Sequence, residues 1–168
     1  LTMDHLREPA CSLVRLFSGV DGADLGSGYP FGAGFDGGVS VALGDVNADG
    51  RLDLLTAQGT GGGLLRIFSG RDFSDLGSVS PFGTGYSGGL HVAAGDVTGD
   101  GAADVIVAQA TGGLVSALNG RDLSGLGSGY AYAPGIGVHV AAGDVNGDGT
   151  AEILVAPGKG SGTERKFK

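Results

Sequence analysis

The sequence predicts an all-β protein made of repeated four-stranded units. Three segments of 21 residues, at 39–59, 90–110 and 138–158, align without gaps, and the stretches between them repeat as well. The first aspartates of these segments lie 51 and then 48 residues apart. Repeats of about 50 residues with several short strands each are typical of β-propeller blades. Glycine supplies 37 of the 168 residues, which suits a chain with many tight turns.

Each repeat contains four short strand signals, and no segment shows a helical period. The first set consists of small or β-branched runs that stop at a Gly-Asp pair, at 39–43, 90–94 and 138–142. The second set is almost wholly apolar, which predicts strands buried on both faces, at 52–57, 103–108 and 151–156. The third set lies at 13–18, 64–69 and 114–118, and the fourth near 24–29, 75–80 and 125–130.

The third strands lead into glycine-containing pairs that predict hairpins to the fourth strands. These pairs are Ser18-Gly19, Ser69-Gly70 and Asn119-Gly120. Asn-Gly favours a two-residue type I′ turn, in which both central residues have positive φ. We therefore expect a tight hairpin at Asn119-Gly120.

The loops between the first and second strands share the pattern D-x-[N/T]-x-D-G-x-x-[D/E]. Ca²⁺ prefers about six to eight oxygen ligands, and a glycine at the sixth position, with positive φ, lets a short loop curl around an ion. The pattern predicts three calcium sites. Their side-chain ligands are Asp45, Asn47, Asp49 and Asp53; Asp96, Thr98, Asp100 and Asp104; and Asp144, Asn146, Asp148 and Glu152. Backbone carbonyl ligands are expected at Arg51, Ala102 and Thr150.

Other kinds of loop fit this pattern less well. A plain hairpin turn does not require an acid at the first, fifth and ninth positions of all three loops. An EF-hand needs a bidentate Glu at position twelve, where this chain has Thr56, Val107 and Val155. Dockerin loops precede helices, and thrombospondin-type repeats are shorter and richer in Asp and Cys. Thr98 and Glu152 depart from the first loop, so the second and third sites are expected to bind differently.

Charge and composition exclude several classes of function. Nine of the 18 acidic residues lie in the three loops, so the net charge of −8 is attributed to metal sites and argues against nucleic-acid binding. No apolar run approaches the ~18 residues of a membrane span. Cys11 is the sole cysteine, so there is no disulfide framework. No nucleophile elbow, HExxH motif or phosphate loop is present, and no enzymatic activity is expected.

The blades resemble FG-GAP repeats, the units of the integrin α-subunit propeller and of many secreted bacterial proteins. Phe31-Gly32, Phe82-Gly83 and Ala156-Pro157 carry the resemblance together with the three loops, although the third unit has Ala133-Pro134-Gly135 where Phe-Gly is expected. The resemblance implies that the strands run A, B, C, D from the centre outwards. It also implies that calcium in the A–B loop is structural and lies on the face away from the ligand-binding surface.

That ligand-binding surface would contain the D–A connections at 30–38, 81–89 and 131–137. Candidate ligand contacts in or beside them are Tyr29, Phe35, Tyr86, Tyr130 and Tyr132, since exposed aromatic side chains suit protein epitopes and sugars. The alternative is that these aromatic residues pack as wedges between blades. His91 and His139 also repeat in register, with Ser40 at the matching position, which favours a structural role over a metal or acid–base site.

Residues 1–11 match nothing in the repeat and form an N-terminal tail, while 12–168 form the blades, with repeats at about 12–62, 63–112 and 113–162. The expected function is recognition of a protein or glycan outside the cell or at its surface. A lectin-like propeller and an architectural, oligomerising unit are the alternatives, and a propeller lyase or hydrolase is the least favoured. Because the first repeat starts at strand C and the third stops after strand B, we expect a homodimer that closes a six-bladed ring. The rival is a fragment of a longer propeller, with 163–168 as a restarted strand C.

Overall fold

The computed structural model of the protein describes residues 12–158, which form twelve β-strands and no helix. In chain order the strands are β1 (Val14–Phe17), β2 (Asp24–Gly28), β3 (Val39–Gly44), β4 (Asp53–Gln58), β5 (Leu65–Phe68), β6 (Asp75–Val79), β7 (Leu90–Gly95), β8 (Asp104–Gln109), β9 (Leu114–Leu118), β10 (Gly125–Tyr130), β11 (Val138–Gly143) and β12 (Glu152–Pro157). The tail at 1–11, Cys11 and the strand expected at 163–168 lie outside the described residues.

The strands form two complete blades and two half-blades, all antiparallel. The first blade has the order β3-β4-β5-β6, and the second blade has β7-β8-β9-β10. The N-terminal half-blade consists of β1 and β2, and the C-terminal half-blade of β11 and β12. The predicted all-β class and the blade order A-B-C-D are thereby confirmed, with strand boundaries within about two residues of those predicted.

The type I′ hairpin expected at Asn119-Gly120 is wrong. Residues 119–124 form a longer turn, closed by hydrogen bonds from Asn119 N to Ser124 O (2.8 Å) and from Leu123 N to Asn119 O (2.9 Å). The positive φ occurs at Leu123 (59°). The glycine is needed for a different reason, because a Cβ at Gly120 would lie 1.9 Å from the carbonyl oxygen of Ala103. The turn therefore packs tightly against the loop that precedes β8.

The core lies between the two complete blades. Leu55, Leu65 and Ile67 of the first blade pack against Val105 and Val107 of the second, and all five side chains are almost completely buried. Burial of this apolar surface supplies the main driving force for stacking one blade on the next.

The second-set strands were predicted to be buried on both faces. That prediction is confirmed for β4 and β8 and wrong for β12, where Ile153 is 39% and Leu154 61% exposed. The difference has a simple cause. Leu154 lies on the face of β12 that no further blade covers among the described residues. Ile153 lies on the opposite face and lines a groove beside β9 and β10, which no described strand C fills.

Neighbouring blades are also joined through backbone at their inner strands, next to the A–B loops. Ala103 N donates to Asp45 O at 2.8 Å, and Ala151 N donates to Asp96 O at 2.6 Å. Each bond connects one A–B loop to the next, so backbone hydrogen bonds link the three loops in a row.

Candidate metal-binding loops

The three A–B loops lie at the same end of their blades, each between the two inner strands. Loop 1 (45–53) joins β3 to β4, loop 2 (96–104) joins β7 to β8, and loop 3 (144–152) joins β11 to β12. The turn between strands C and D lies at this end too, since the strands alternate in direction. All fifteen predicted ligand residues therefore lie on one face of the structure, grouped by loop as the sequence predicts.

The first aspartate of each loop organises the backbone around itself. In loop 1, Asp49 N donates to Asp45 Oδ1 at 3.0 Å and Gly50 N donates to Asp45 Oδ2 at 2.8 Å. The same two bonds recur at Asp96 in loop 2 and at Asp144 in loop 3. A carboxylate that accepts several amide protons is fixed in orientation.

Backbone conformation completes the curl of each loop. The predicted positive φ is found at the sixth position of each loop, at Gly50 (84°), Gly101 (84°) and Gly149 (91°). A second left-handed residue was not foreseen: the fourth position also has positive φ, at Ala48 (60°), Gly99 (74°) and Gly147 (79°). Gly99 and Gly147 in loops 2 and 3 indicate this feature in the sequence. Loop 1 has Ala48 at the same position, so the pattern is not shared by all three loops.

The ninth residue of loops 1 and 2 is a buried carboxylate. Asp53 is 0% and Asp104 1% exposed. One oxygen of each accepts an amide proton from its own loop, Val46 N to Asp53 and Val97 N to Asp104, both at 3.1 Å. The other oxygen accepts one from the C–D turn, Gly70 N to Asp53 at 3.0 Å and Gly120 N to Asp104 at 3.3 Å. These hydrogen bonds connect each loop to the outer half of its blade.

Neither buried carboxylate has a cationic side chain as a partner in the part of the chain that the structure describes. An ionised carboxylate away from water is costly unless an opposite charge or several donors compensate it. A bound cation would supply that charge. The two buried aspartates are thus the feature of the loops that fits a metal ion best.

Loop 2 contains an ion pair that loops 1 and 3 lack among the described residues, and a side-chain hydrogen bond between its third and ninth residues. Arg121 Nη1 donates to Asp100 Oδ2 at 2.7 Å, and Thr98 Oγ1 donates to Asp104 Oδ2 at 3.1 Å. Both occupy oxygens that the sequence assigns to a metal ion. The guanidinium also supplies a positive charge at the fifth position of the loop.

Loop 3 is the most exposed of the three. Glu152 Oε2 accepts from Val145 N at 2.9 Å, as Asp53 and Asp104 do in their loops. Its other oxygen accepts from the side chain of Asn146, Nδ2 to Oε1, at 2.7 Å. The described residues offer Glu152 no glycine from a C–D turn, because the C-terminal half-blade has only two strands.

Two loop carboxylates have pKa values below the usual range. Burial alone would raise the pKa of Asp96, but hydrogen bonds from the amides of Gly101, Gly99 and Asp100 outweigh it and lower the pKa. For Asp148 the Thr150 hydroxyl is the largest cause, followed by the Thr150 amide, and both lower the pKa. These carboxylates are ionised at neutral pH and suited to a cation.

The donor set fits a hard cation such as Ca²⁺, because every predicted ligand atom is an oxygen. The side chains do not yet converge on one point, however. Within residues 12–158, no three Asp, Glu, His or Cys side chains lie close enough together to form a metal-binding group. Their oxygens are instead directed at loop amides. Binding of an ion would require carboxylates to rotate away from loop amides that they accept from in this structure.

The model of a family described as FG-GAP-like repeat matches this chain twice, over residues 45–107 and 96–155. Each match begins at the first aspartate of one loop and ends in strand B of the following blade. The family's repeat unit therefore starts at the loop. Together the matches cover about two thirds of the 168 residues. The chain belongs to the FG-GAP-like repeat family.

Membership in the FG-GAP-like repeat family confirms the resemblance noted in the sequence. Such repeats are typical of extracellular and cell-surface proteins, and their propellers are typically non-catalytic. A comparison with curated proteins gave no match. The residues that the structure describes include no helix long and apolar enough to cross a membrane.

The FG motifs and the candidate ligand contacts lie at the opposite end of the blades. Phe31 packs edge-to-face on Phe35, with ring centroids 5.5 Å apart, and Phe82 packs in the same way on Tyr86 at 5.6 Å. The hydroxyl of Tyr86 donates to Gly89 O at 3.0 Å, and that of Tyr132 donates to Val155 O at 3.3 Å.

These contacts give Phe35, Tyr86 and Tyr132 a packing role within the FG-GAP-like blades. The two remaining candidates are more open to solvent: Tyr29 is 38% and Tyr130 67% exposed. Tyr29 and Tyr130 are therefore the aromatic residues best placed to contact a ligand.

His91 and His139 meet between the second blade and the C-terminal half-blade. Their ring centroids are 4.2 Å apart. In the first blade, Ser40 Oγ at the matching position accepts from Val92 N at 3.2 Å. Burial, followed by the nearby His139, lowers the pKa of His91 below its usual 6.5. The pair belongs to the packing between inner strands, as the sequence favoured.

Proposed function

We propose that this chain is a non-catalytic, calcium-stabilised β-propeller module that recognises a protein or glycan outside the cell or at its surface. The observation that supports it most strongly is the threefold repetition of an all-oxygen loop, with buried carboxyl groups at Asp53 and Asp104 that have no cationic partner among the described residues. Three such loops in register are hard to explain as turns alone.

The role of calcium in this proposal is structural. The loops named above would hold one ion each through their side-chain oxygens and the carbonyls of Arg51, Ala102 and Thr150. Bound calcium would supply positive charge where carboxylates crowd together. Because each loop is hydrogen-bonded both to the C–D turn and to the following loop, an ion there would stabilise whole blades and the contacts between them.

Recognition is assigned to the opposite end, where the D–A and B–C connections lie side by side. Thr60 N and Gly59 N donate to the carbonyl oxygens of Gly37 and Gly38, which joins the two kinds of connection in the first blade. A surface held by such bonds and presenting Tyr29 and Tyr130 is preorganised, which lowers the entropic cost of binding a partner. A lectin-like site on this surface is the second candidate, favoured by the two exposed tyrosines.

An array of glycans and extracellular proteins, probed with the full chain in calcium and in chelator, tests recognition. We expect a saturable ligand whose binding is reduced by Tyr130→Ala and unaffected by Val20→Ala, a control on the loop face, where Val20 is 97% exposed. A glycan ligand would favour the lectin-like site. Binding that both variants retain would show that the tyrosine surface is not the recognition site.

We also propose that the working form is a homodimer, in which the half-blades β1–β2 and β11–β12 of two copies pack together. A purely architectural unit, the third candidate, would form the same dimer but bind nothing on the array.

A further inference from the structure

The chain contains three asparagines, and each lies in a turn or loop that the structure describes. Asn47 is followed by Ala48, whereas Asn119 and Asn146 are each followed by glycine. An asparagine loses its side-chain amide when the main-chain nitrogen of the next residue attacks its Cγ. Glycine as the next residue favours that attack, because it has no Cβ to obstruct it and rotates freely. The surroundings of the three asparagines decide which of them reacts.

Packing protects the pair Asn119-Gly120. The glycine is buried, and a Cβ on it would lie 1.9 Å from Ala103 O. Its amide donates to the buried carboxyl group of Asp104 at 3.3 Å. Ring closure requires the peptide group between the two residues to rotate, and close packing on this side opposes that rotation. Asn119 is therefore expected to stay unmodified while the blade is folded.

The pair Asn146-Gly147 lies in the open part of loop 3, and both residues are exposed. Asn47 and Thr98, at the same third position of loops 1 and 2, are exposed as well. The exposure is thus a property of the loop and does not depend on which blade follows it. Water, which takes part in the second step of the reaction, has access to Asn146.

Two hydrogen bonds within loop 3 assist the attack on Asn146. Gly147 N donates to Asp144 Oδ1 at 2.6 Å, so this carboxylate is in place to accept the proton that the nitrogen loses. Asp148 N donates to Asn146 Oδ1 at 2.8 Å, the oxygen on which negative charge develops as Cγ becomes tetrahedral. The loop therefore supplies both a proton acceptor and a donor to the developing oxyanion.

Loop 1 has the same curl without this combination. Asp49 N donates to Asn47 Oδ1 at 2.9 Å, as in loop 3. Among the described residues, however, no hydrogen bond joins Ala48 N to Asp45, and the Cβ of Ala48 stands beside the attacking nitrogen. Loop 1 is therefore a natural control for loop 3.

From these features we infer that Asn146 is a site of spontaneous deamidation, which converts the third position of loop 3 into a carboxylate. Gly147 N forms a bond to Asn146 Cγ, the bond from Cγ to Nδ2 breaks, and the proton of the Gly147 amide leaves with Nδ2 as ammonia. Water then adds to the cyclic imide. The ring opens to aspartate, or to isoaspartate, in which the main chain runs through the side-chain carbon.

The modification changes the charge of loop 3. Asn146 Nδ2 donates to Asp148 Oδ2 at 3.0 Å and to Glu152 Oε1 at 2.7 Å, and a carboxylate in its place would face these oxygens with like charge. Loop 3 would then depend more strongly on a bound cation. Calcium would in turn slow the reaction, because it would hold the carboxylate of Asp144 away from the Gly147 amide. Only this protection rests on the proposed calcium sites.

Peptide mapping of the full chain tests the site, because trypsin separates the three asparagines. Asn47, Asn119 and Asn146 fall in the peptides 16–51, 72–121 and 122–159. The chain is incubated in chelator at mildly alkaline pH, well below its melting temperature in that buffer, and digested at intervals. We expect the 122–159 peptide to gain the mass that exchange of NH for O adds, with isoaspartate at position 146. The other two peptides should react more slowly, by roughly tenfold or more.

Two reciprocal variants test the role of the residue that follows each asparagine. Gly147→Ala should slow the reaction at Asn146 roughly tenfold or more. The loop tolerates alanine there, since Ala48 has the matching position in loop 1 with a φ of 60°. Ala48→Gly should speed the reaction at Asn47, measured in the 16–51 peptide. An unchanged rate in either variant would overturn the assignment.

Further outcomes separate this inference from the proposed function. No reaction at Asn146, or an equal rate at Asn119 in the folded chain, overturns the inference. In urea, where packing is lost, Asn119 should react as fast as Asn146, and an Asn119 that stays slow there would refute protection by packing. A reaction at Asn146 that calcium slows supports both the site and calcium in loop 3. A reaction that calcium leaves unchanged supports the site and contradicts calcium binding in that loop.

Discussion

An aspartate in these loops has two roles, and the hydrogen bonds separate them. Asp45, Asp96 and Asp144 hold the loop backbone through amide bonds, and they are also expected to bind calcium. Replacement by alanine would remove both roles at once. Replacement by asparagine keeps one of the two oxygens that accept amide protons and removes the charge. The loss of stability in chelator then measures the lost amide bond, and the additional loss in calcium measures the contribution of the ion.

The first prediction ranks the loops. Asp45→Asn and Asp144→Asn should lower the melting temperature more in calcium than in chelator, and the difference between the two conditions should be smallest for Asp96→Asn. Loop 2 is expected to be weakest because Thr98 replaces an amide and Arg121 already neutralises Asp100. Calorimetry should show tighter binding at loop 2 in Arg121→Gln. Three equal sites, or no change in Arg121→Gln, would contradict this ranking.

The second prediction concerns the histidine pair. Because burial and His139 lower the pKa of His91 below 6.5 in the folded protein, the unfolded chain binds more protons than the folded one just below that pH. Stability should therefore fall as pH decreases through about 6.5 and level off below the folded pKa. His91→Asn should reduce this dependence. Melting temperatures at pH 7.5 and 5.0 in chelator measure it, and parallel curves for wild type and variant would refute the assignment.

At the level of residues, the sequence predicted which side chains gather in each loop but not which contacts they make. Spacing alone identifies Asp45, Asn47, Asp49 and Asp53 as one group, since they lie within a single nine-residue loop. The Arg121–Asp100 pair is invisible in the sequence, because it joins residues from two turns that only the folded blade brings together. The His91–His139 contact depends in the same way on how adjacent blades stack.

At the level of elements, glycine at the end of strand A allows the blades to approach each other. A Cβ at Gly44 would lie 2.6 Å from the Cβ of Ala94 and 2.9 Å from that of Ala103. At Gly95 it would lie 2.8 Å from the Cβ of Ala151 and 3.0 Å from that of Ala142. The repeated Gly-Asp pair is thus required by interblade packing as well as by the loop.

The third prediction follows from this close contact. Gly44→Ala should reduce the free energy of unfolding by about 1–3 kcal/mol, the usual cost of an overpacked site. Gly85→Ala serves as the control, because a Cβ at Gly85 would meet nothing within 4 Å. It should change the free energy of unfolding by less than about 0.5 kcal/mol. Chemical denaturation in calcium measures both. Equal stability of the two variants would show that the blades can separate without loss.

Strand order and most strand boundaries were predictable because the sequence repeats three times, so that each strand pattern and each turn pattern occurs three times. Two predictions at this scale were wrong. The Asn119-Gly120 turn was misjudged because glycine there serves a close approach to Ala103 rather than a positive φ. The burial of β12 was misjudged because a strand's burial depends on its neighbours, and the sequence of β12 resembles those of β4 and β8.

At the level of the whole molecule, three features of the repeat act together. Apolar faces stack one blade on the next, backbone bonds join successive loops at Asp45 and Asp96, and the carboxylates lie on those same loops. A cation in any loop would therefore stabilise the stacking of blades as well as its own turn. Because of this coupling, removal of calcium is expected to weaken the stacking of all the blades.

The fourth prediction is that the full chain melts at a higher temperature in calcium than in chelator. Extracellular calcium modules bind with Kd of about 10⁻⁴–10⁻³ M, so calcium at roughly ten times Kd contributes about 1.4 kcal/mol per site. Three sites contribute about 4 kcal/mol, enough to raise the melting temperature by roughly 8–16 °C in a domain of this size. Magnesium, which keeps its water shell more strongly, should have a smaller effect. A melting temperature that is the same in calcium and in chelator would contradict the proposal that calcium stabilises the blades.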